Sequence, residues 1–170
     1  MAKALPIPGL TADTPFAVAA VATVRIRAEE LLAHADGVLD VEQIERVHDM
    51  RVATRRLRAA LEVYAPCFPK REHKRVLRDV KALADALGAR RDPDVQLEGL
   101  QRFAAVLPEA DQRGVLRFMA NARADQDRGN ERLAAALQDL DPAALAERVA
   151  ALIGTVEVPA TDEPTTEAQP

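Results

Sequence analysis

The stretch Val47-His48-Asp49-Met50-Arg51-Val52-Ala53-Thr54-Arg55-Arg56-Leu57-Arg58 decides the fold. Val47, Met50 and Leu57, continued by Leu61 and Tyr64, recur at helical spacing and form one apolar stripe. His48, Arg51, Arg55 and Arg58 follow each other at +3, +4 and +3 and fall within about 80° of arc. They form a second stripe ~15 Å long, set by the rise of 1.5 Å per residue. One helix therefore packs on one side and presents guanidinium groups on another. Arg56 lies off both stripes and is expected in solvent.

Helix punctuation extends this reading in both directions. Upstream, Asp13 or Thr14 can cap a helix with Pro15 at its first position, running to about His34. Asp36-Gly37 ends it. Asp40, with Gln43 three residues on, forms a capping-box pattern for a helix from Val41 to about Tyr64. Downstream, Pro69 opens a third helix to Leu87, with Gly88 as its C-terminal stop. Asp92-Pro93 reads as the start of a fourth, to about Val106. Pro108 precedes a long fifth, Glu109 to about Gln138, and Asp141-Pro142 opens a last one closed by Gly154.

Composition agrees. The 170 residues are 48% hydrophobic and only 3% aromatic, without Trp, so the core must be built from Ala, Leu and Val. The expected fold is all-α, an antiparallel helical bundle of about five to six helices with short loops. Residues 1–12 read as an N-terminal extension and 13–154 as the helical domain. Residues 155–170, rich in Pro, Thr and acid and without Lys or Arg, read as a disordered acidic tail.

The net charge of −4 hides an asymmetry. Residues 46–91 hold 13 Lys/Arg against 5 Asp/Glu, while the remainder holds 10 against 22. A cationic segment in an acidic chain points to an anionic ligand. The third helix repeats the design: Lys70, Lys74, Arg78 and Lys81 share about 80° of arc, beside a core side of Val76, Val80, Leu83 and Leu87. If both basic stripes lie on the same side of the shared core, they flank one groove. Like charges at i,i+4 destabilise a helix by about 0.2–0.5 kcal/mol per pair. Few acids offset them; Glu62 continues the second-helix stripe, and Asp85 ends the third. Guanidinium forks suit phosphate, to which they donate paired charge-assisted hydrogen bonds. Periodicity alone leaves two readings open, a solvated charged face and a polyanion site.

His48 shares the arginine stripe. A neutral imidazole there can donate to a phosphate oxygen, or it can complete a hydrogen-bond network within the bundle. The stripe holds no carboxylate that would orient it as a base. His34, His48 and His73 lie on three different helices without metal-ligand spacing, so no metal or cofactor is expected. His73, between Glu72 and Lys74, is expected on the surface. The single cysteine, Cys67, reads as a small apolar plug between two helices and suits a reducing compartment. Met1 to Leu10 lacks the apolar run of a signal peptide, and Phe16 to Val24 is too short to span a bilayer, so a cytoplasmic location is expected.

The stretch from His48 to Arg58 resembles the signature of the CHAD domain family, the conserved histidine α-helical domain, with H-x-x-R-x-x-x-R-R-x-R matched at each fixed position. A second similar block follows, Lys81-Ala82-Leu83 and then Leu87-Gly88-Ala89-Arg90-Arg91-Asp92-Pro93-Asp94-Val95. The resemblance implies binding of inorganic polyphosphate and association with polyphosphate granules. Matched residue by residue, the contacts it implies are His48, Arg51, Arg55 and Arg58 from the first block and Lys81 and Arg91 from the second. Lys74 and Arg78 join them on the stripe argument alone. Asp92 and Asp94 also match the family, and Asp92 is read as the helix cap that positions the loop carrying Arg91.

Members of that family are commonly about twice as long, with two similar helical halves. The last helices are therefore expected either to complete the fold or to leave it to a homodimer. The expected function is non-catalytic polyphosphate binding. The alternative is a phosphohydrolase or His phosphotransfer protein, for which the stripes supply no acidic metal-binding cluster. A nucleic-acid partner is disfavoured by scarce aromatics and the acidic remainder.

Overall fold

The computed structural model describes residues 3–157. Among these described residues five α-helices make an all-α fold: α1 Phe16–Ala33, α2 Ile44–Val63, α3 Lys70–Ala104, α4 Gln112–Leu140 and α5 Pro142–Gly154. Two 3₁₀ turns, Ala65–Cys67 and Glu109–Asp111, connect α2 to α3 and α3 to α4.

Burial follows the apolar stripes. Val47, Met50, Leu57 and Leu61 of α2 and Val76, Val80, Leu83 and Leu87 of α3 meet Val24 and Leu31 of α1 in one core. Leu133 of α4 and Leu145, Val149 and Leu152 of α5 close it. A second, smaller cluster of Leu97, Val115, Met119 and Ala122 lies along α3 and α4 alone. By rise per residue, α3 is ~52 Å long and α2 only ~30 Å, so α3 and α4 continue past the bundle as a two-helix hairpin.

The segmentation expected at Gly88 and Asp92-Pro93 is corrected. No break occurs there; α3 runs through both. An internal proline costs about 3 kcal/mol, because it removes a hydrogen bond and its ring presses on the carbonyl four residues back, here that of Ala89. The buried row Leu83, Leu87, Arg90, Asp94 and Leu97, at continuous helical spacing, holds the helix together across it. Asp92 is thus an exposed residue inside a helix, not a cap, and Arg91 sits on no loop.

Helix α4 approaches α3 closely at this point. A Cβ added to Gly129 would stand 2.7 Å from the Ala89 carbonyl oxygen and 2.9 Å from the Arg90 Cα. Backbone cannot swing aside as a flexible side chain does. Gly129→Ala should therefore destabilise by about 1–2 kcal/mol net, overpacking outweighing the gain in helix propensity. Thermal unfolding checks this; an unchanged or raised Tm would contradict the close approach.

Three helix starts also differ from expectation. Asp40 does not cap α2: its carboxylate accepts from the Glu42 amide at 3.0 Å and from Gln43 Nε2 at 2.8 Å, which forms a turn ahead of a helix that begins at Ile44. No side chain caps α1; Thr14 Oγ1 instead accepts from the Thr11 amide at 2.8 Å. Helix α4 begins at Gln112, after the 3₁₀ turn. The Asp141-Pro142 start is as expected, with the Asp141 carboxylate accepting from the Ala143 amide at 3.0 Å.

His73 is buried, not on the surface. Its Nε2 lies 2.8 Å from the Leu61 carbonyl oxygen and its ring stacks on Phe68. It belongs to the face of Val76 and Val80, three and seven residues on, whereas its sequence neighbours Glu72 and Lys74 point elsewhere. Cys67 is half-buried against the core, and that burial pushes its thiol up. The N-terminal segment is fastened to α1, because the Leu5 amide donates to Glu30 and Arg27 donates to the Leu5 carbonyl at 3.1 Å. Of the expected acidic tail, only Thr155–Glu157 lie within the described residues.

Candidate functional site

Two observations fix how the basic stripes meet. Near one end of the α2–α3 pair, Arg58 Nε donates to Glu62 Oε1 at 3.0 Å, and Lys81 Nζ of α3 lies 3.7 Å from the same oxygen. Farther along, the Arg51 guanidinium of α2 reaches over α3, with Nη1 3.0 Å from where a Cβ on Gly88 would stand. Gly88 thus leaves room for an arginine instead of ending a helix. The two contacts are seven residues apart on each helix, or ~10 Å, so α2 and α3 run antiparallel with Arg51, Arg58 and Lys81 along one groove. Continuing that register brings His48 level with Arg91.

Arg55 is exposed and lines an open cleft of about 450 Å3 with Val52, Arg56, Arg58, Ala59 and Glu62. Among the described residues no carboxylate pairs with Arg51 or Arg55. Arg58, Glu62 and Lys81 are each 44% exposed, so an incoming anion can reach all three. The hydrogen bond from Arg58 does most to hold the Glu62 carboxyl below its ordinary value. Partial desolvation opposes it, and the Arg58 and Lys81 charges add to it.

The other expected contacts are placed differently. Lys74 and Arg78, nearer the start of α3, line a separate depression of about 570 Å3 with Arg71, Glu72 and Arg75. Arg78 is 76% exposed and lies 3.7 Å from Asp79. Arg91 is largely buried and faces Asp94 at 4.0 Å and Glu98 at 3.8 Å. His48 is half-buried on α2. The structure therefore brings Arg51, Arg58 and Lys81 to one groove, with Arg55 in the adjoining cleft beside Arg58, and leaves Lys74 and Arg78 on another surface. Arg71 and Arg75 belong to that second surface; Arg71, Arg75 and Arg78 follow each other at +4 and +3, which is the sequence signal that marks them.

Arg56 is not solvated as expected. It also lines the cleft, and its Nη1 lies 3.7 Å from Glu30 Oε1 of α1. Glu30 is itself buried. Burial pushes its carboxyl up, but the Arg27 hydrogen bond at 2.6 Å, the Leu5 amide and the charges of Arg27 and Arg56 outweigh this and hold it below the ordinary value. Glu30 thereby fixes the α1 side of α2 and leaves the opposite edge, with Arg51 and Arg58, to face α3.

The second motif block forms a buried polar junction between α3 and α4. Arg90 and Asp94 are both fully buried and paired through Arg90 Nη1 and Asp94 Oδ1. Gln126 Nε2 donates to the same Asp94 oxygen at 2.6 Å, and Arg90 Nε donates to Asn130 Oδ1 at 3.3 Å. Asn130 Nδ2 in turn donates to the Leu39 carbonyl at 3.1 Å, which ties in the α1–α2 connection. These residues hold helices in place and stand apart from the solvent-facing groove.

Among the described residues no helix is long and apolar enough to cross a membrane. No curated protein matches the chain. A family model does: the CHAD domain matches residues 22–170, a span that takes in the basic groove of α2 and α3 and the buried junction alike, and the chain belongs to the CHAD domain family.

Proposed function

We propose that the chain binds inorganic polyphosphate in the α2–α3 groove without transforming it. The observation that carries this reading is the convergence of Arg58 and Lys81, from different helices, on a single anionic oxygen. Arg51 and Arg55 extend the same line of cations, so a string of linked phosphates meets successive partners. Family membership supports the same ligand class. Binding of this kind would also carry the chain to polyphosphate granules. Titration with long-chain polyphosphate by calorimetry, together with an assay for released orthophosphate in the presence of Mg²⁺, tests both halves. Binding without release is expected. Release of phosphate would favour the phosphohydrolase alternative, and tighter binding of RNA than of polyphosphate would favour a nucleic-acid partner.

The proposal includes self-association. Beyond the bundle the α3–α4 hairpin leaves an open apolar groove lined by Leu100, Phe103, Leu107, Val115 and Phe118, and Phe103 and Phe118 are more than half exposed. Two such hairpins facing each other about a two-fold axis complete a four-helix bundle. Light scattering should give the mass of a dimer; a monomer with polyphosphate bound would contradict this.

A further inference from the structure

Glu62 is the carboxylate that joins the two basic stripes among the described residues. Helix stabilisation does not account for it. An acid placed four residues after its basic partner is the poorer orientation for an i,i+4 pair, and exposed pairs of this kind contribute little. What distinguishes Glu62 is position: one oxygen takes the Arg58 hydrogen bond from its own helix and faces the Lys81 ammonium of the next. A phosphoryl oxygen at that point would have the same two partners, since guanidinium groups bind carboxylate and phosphate alike. The exposure of all three side chains lets an external anion compete.

We propose that Glu62 is an affinity-determining place-holder, whose carboxylate occupies a phosphate position between Arg58 and Lys81 until a polyanion displaces it. This rests on the polyphosphate reading. In the empty groove Glu62 relieves the repulsion between Arg58 and Lys81. A single small anion gains little there, because it only exchanges one anion for another. A chain of phosphates also engages Arg51 and Arg55, which offsets the displacement.

The test titrates the full chain, Glu62→Gln and Asp85→Asn with tripolyphosphate and with long-chain polyphosphate at several salt concentrations. Asp85 is an exposed acid on α3, four residues past Lys81, without an ion pair among the described residues. Glu62→Gln should bind both ligands about fivefold more tightly, the scale of one exposed ion pair. Its dependence on salt should be steeper by about one counterion, because the groove gains a net positive charge. Asp85→Asn should stay within about twofold of the parent, since it removes the same charge without vacating a phosphate position. Equal gains in both variants, or weaker binding by Glu62→Gln, would overturn the place-holder while leaving polyphosphate binding intact. No binding by any of the three proteins would overturn both.

Discussion

Asp94→Ala should destabilise the protein by about 3–5 kcal/mol, the usual result of leaving one member of a buried ion pair without its partner. Asp94 and Arg90 are both fully buried, and Asp94 also accepts from Gln126. Removing the carboxylate strands a guanidinium between α3 and α4, in the same turn where Gly129 leaves no room for a Cβ beside the Ala89 carbonyl. A small domain has only about 5–15 kcal/mol of stability in total, so the loss is a large share of it. Replacing both charges with apolar residues of similar size, as in Arg90→Met with Asp94→Leu, should recover much of the loss, because the fully buried guanidinium goes with its partner while Arg91 keeps Glu98 at 3.8 Å. Urea unfolding checks both variants. A cost below about 1 kcal/mol for Asp94→Ala would mean that the pair is hydrated and the junction open.

The second large effect concerns binding. Arg51→Ala combined with Arg55→Ala should weaken long-chain polyphosphate binding by on the order of 100-fold. Each hydrogen bond to a charged group contributes about 1.5–3 kcal/mol, and 1.4 kcal/mol is tenfold. Stability should change little, because Arg55 is exposed and neither arginine has an ion-pair partner among the described residues. Lys74→Ala with Arg78→Ala is the informative comparison. Those two line a separate depression, so their loss should weaken binding far less. Equal losses in the two double variants would place the ligand across both surfaces.

The sequence made the main features of the groove legible because its signal is local. Arg51, Arg55 and Arg58 share an edge of α2 by spacing alone, and the apolar stripe of Val47, Met50, Leu57 and Leu61 gives the opposing face. Whether the α3 stripe lies beside it was not legible, since periodicity measures angle within a helix and not which edge abuts a neighbour. Lys81 and Lys74 occupy the same arc, yet Lys81 meets Glu62 whereas Lys74 stands level with Ala65, past the end of α2, and lines a separate depression. The merging of two expected helices into α3 has a related cause. Gly88 and Asp92-Pro93 are strong local stop signals, and they are overridden by burial against α4, a contact made about forty residues away in sequence. The Arg56 to Glu30 contact is hidden for the same reason, as its partner lies on α1. The charged neighbours of His73 point to the surface, although its i+3 and i+7 partners Val76 and Val80 mark it as core.

The most direct measurement is the dependence of polyphosphate affinity on salt. A groove that lines up Arg51, Arg55, Arg58 and Lys81 should release about three condensed counterions on binding, so a plot of log affinity against log salt should fall with a slope near three, taking the per-contact value known for nucleic acids. The Arg51→Ala, Arg55→Ala variant should show a slope lower by about two. An affinity that does not change with salt, or a variant slope equal to that of the parent, would contradict the groove as the site.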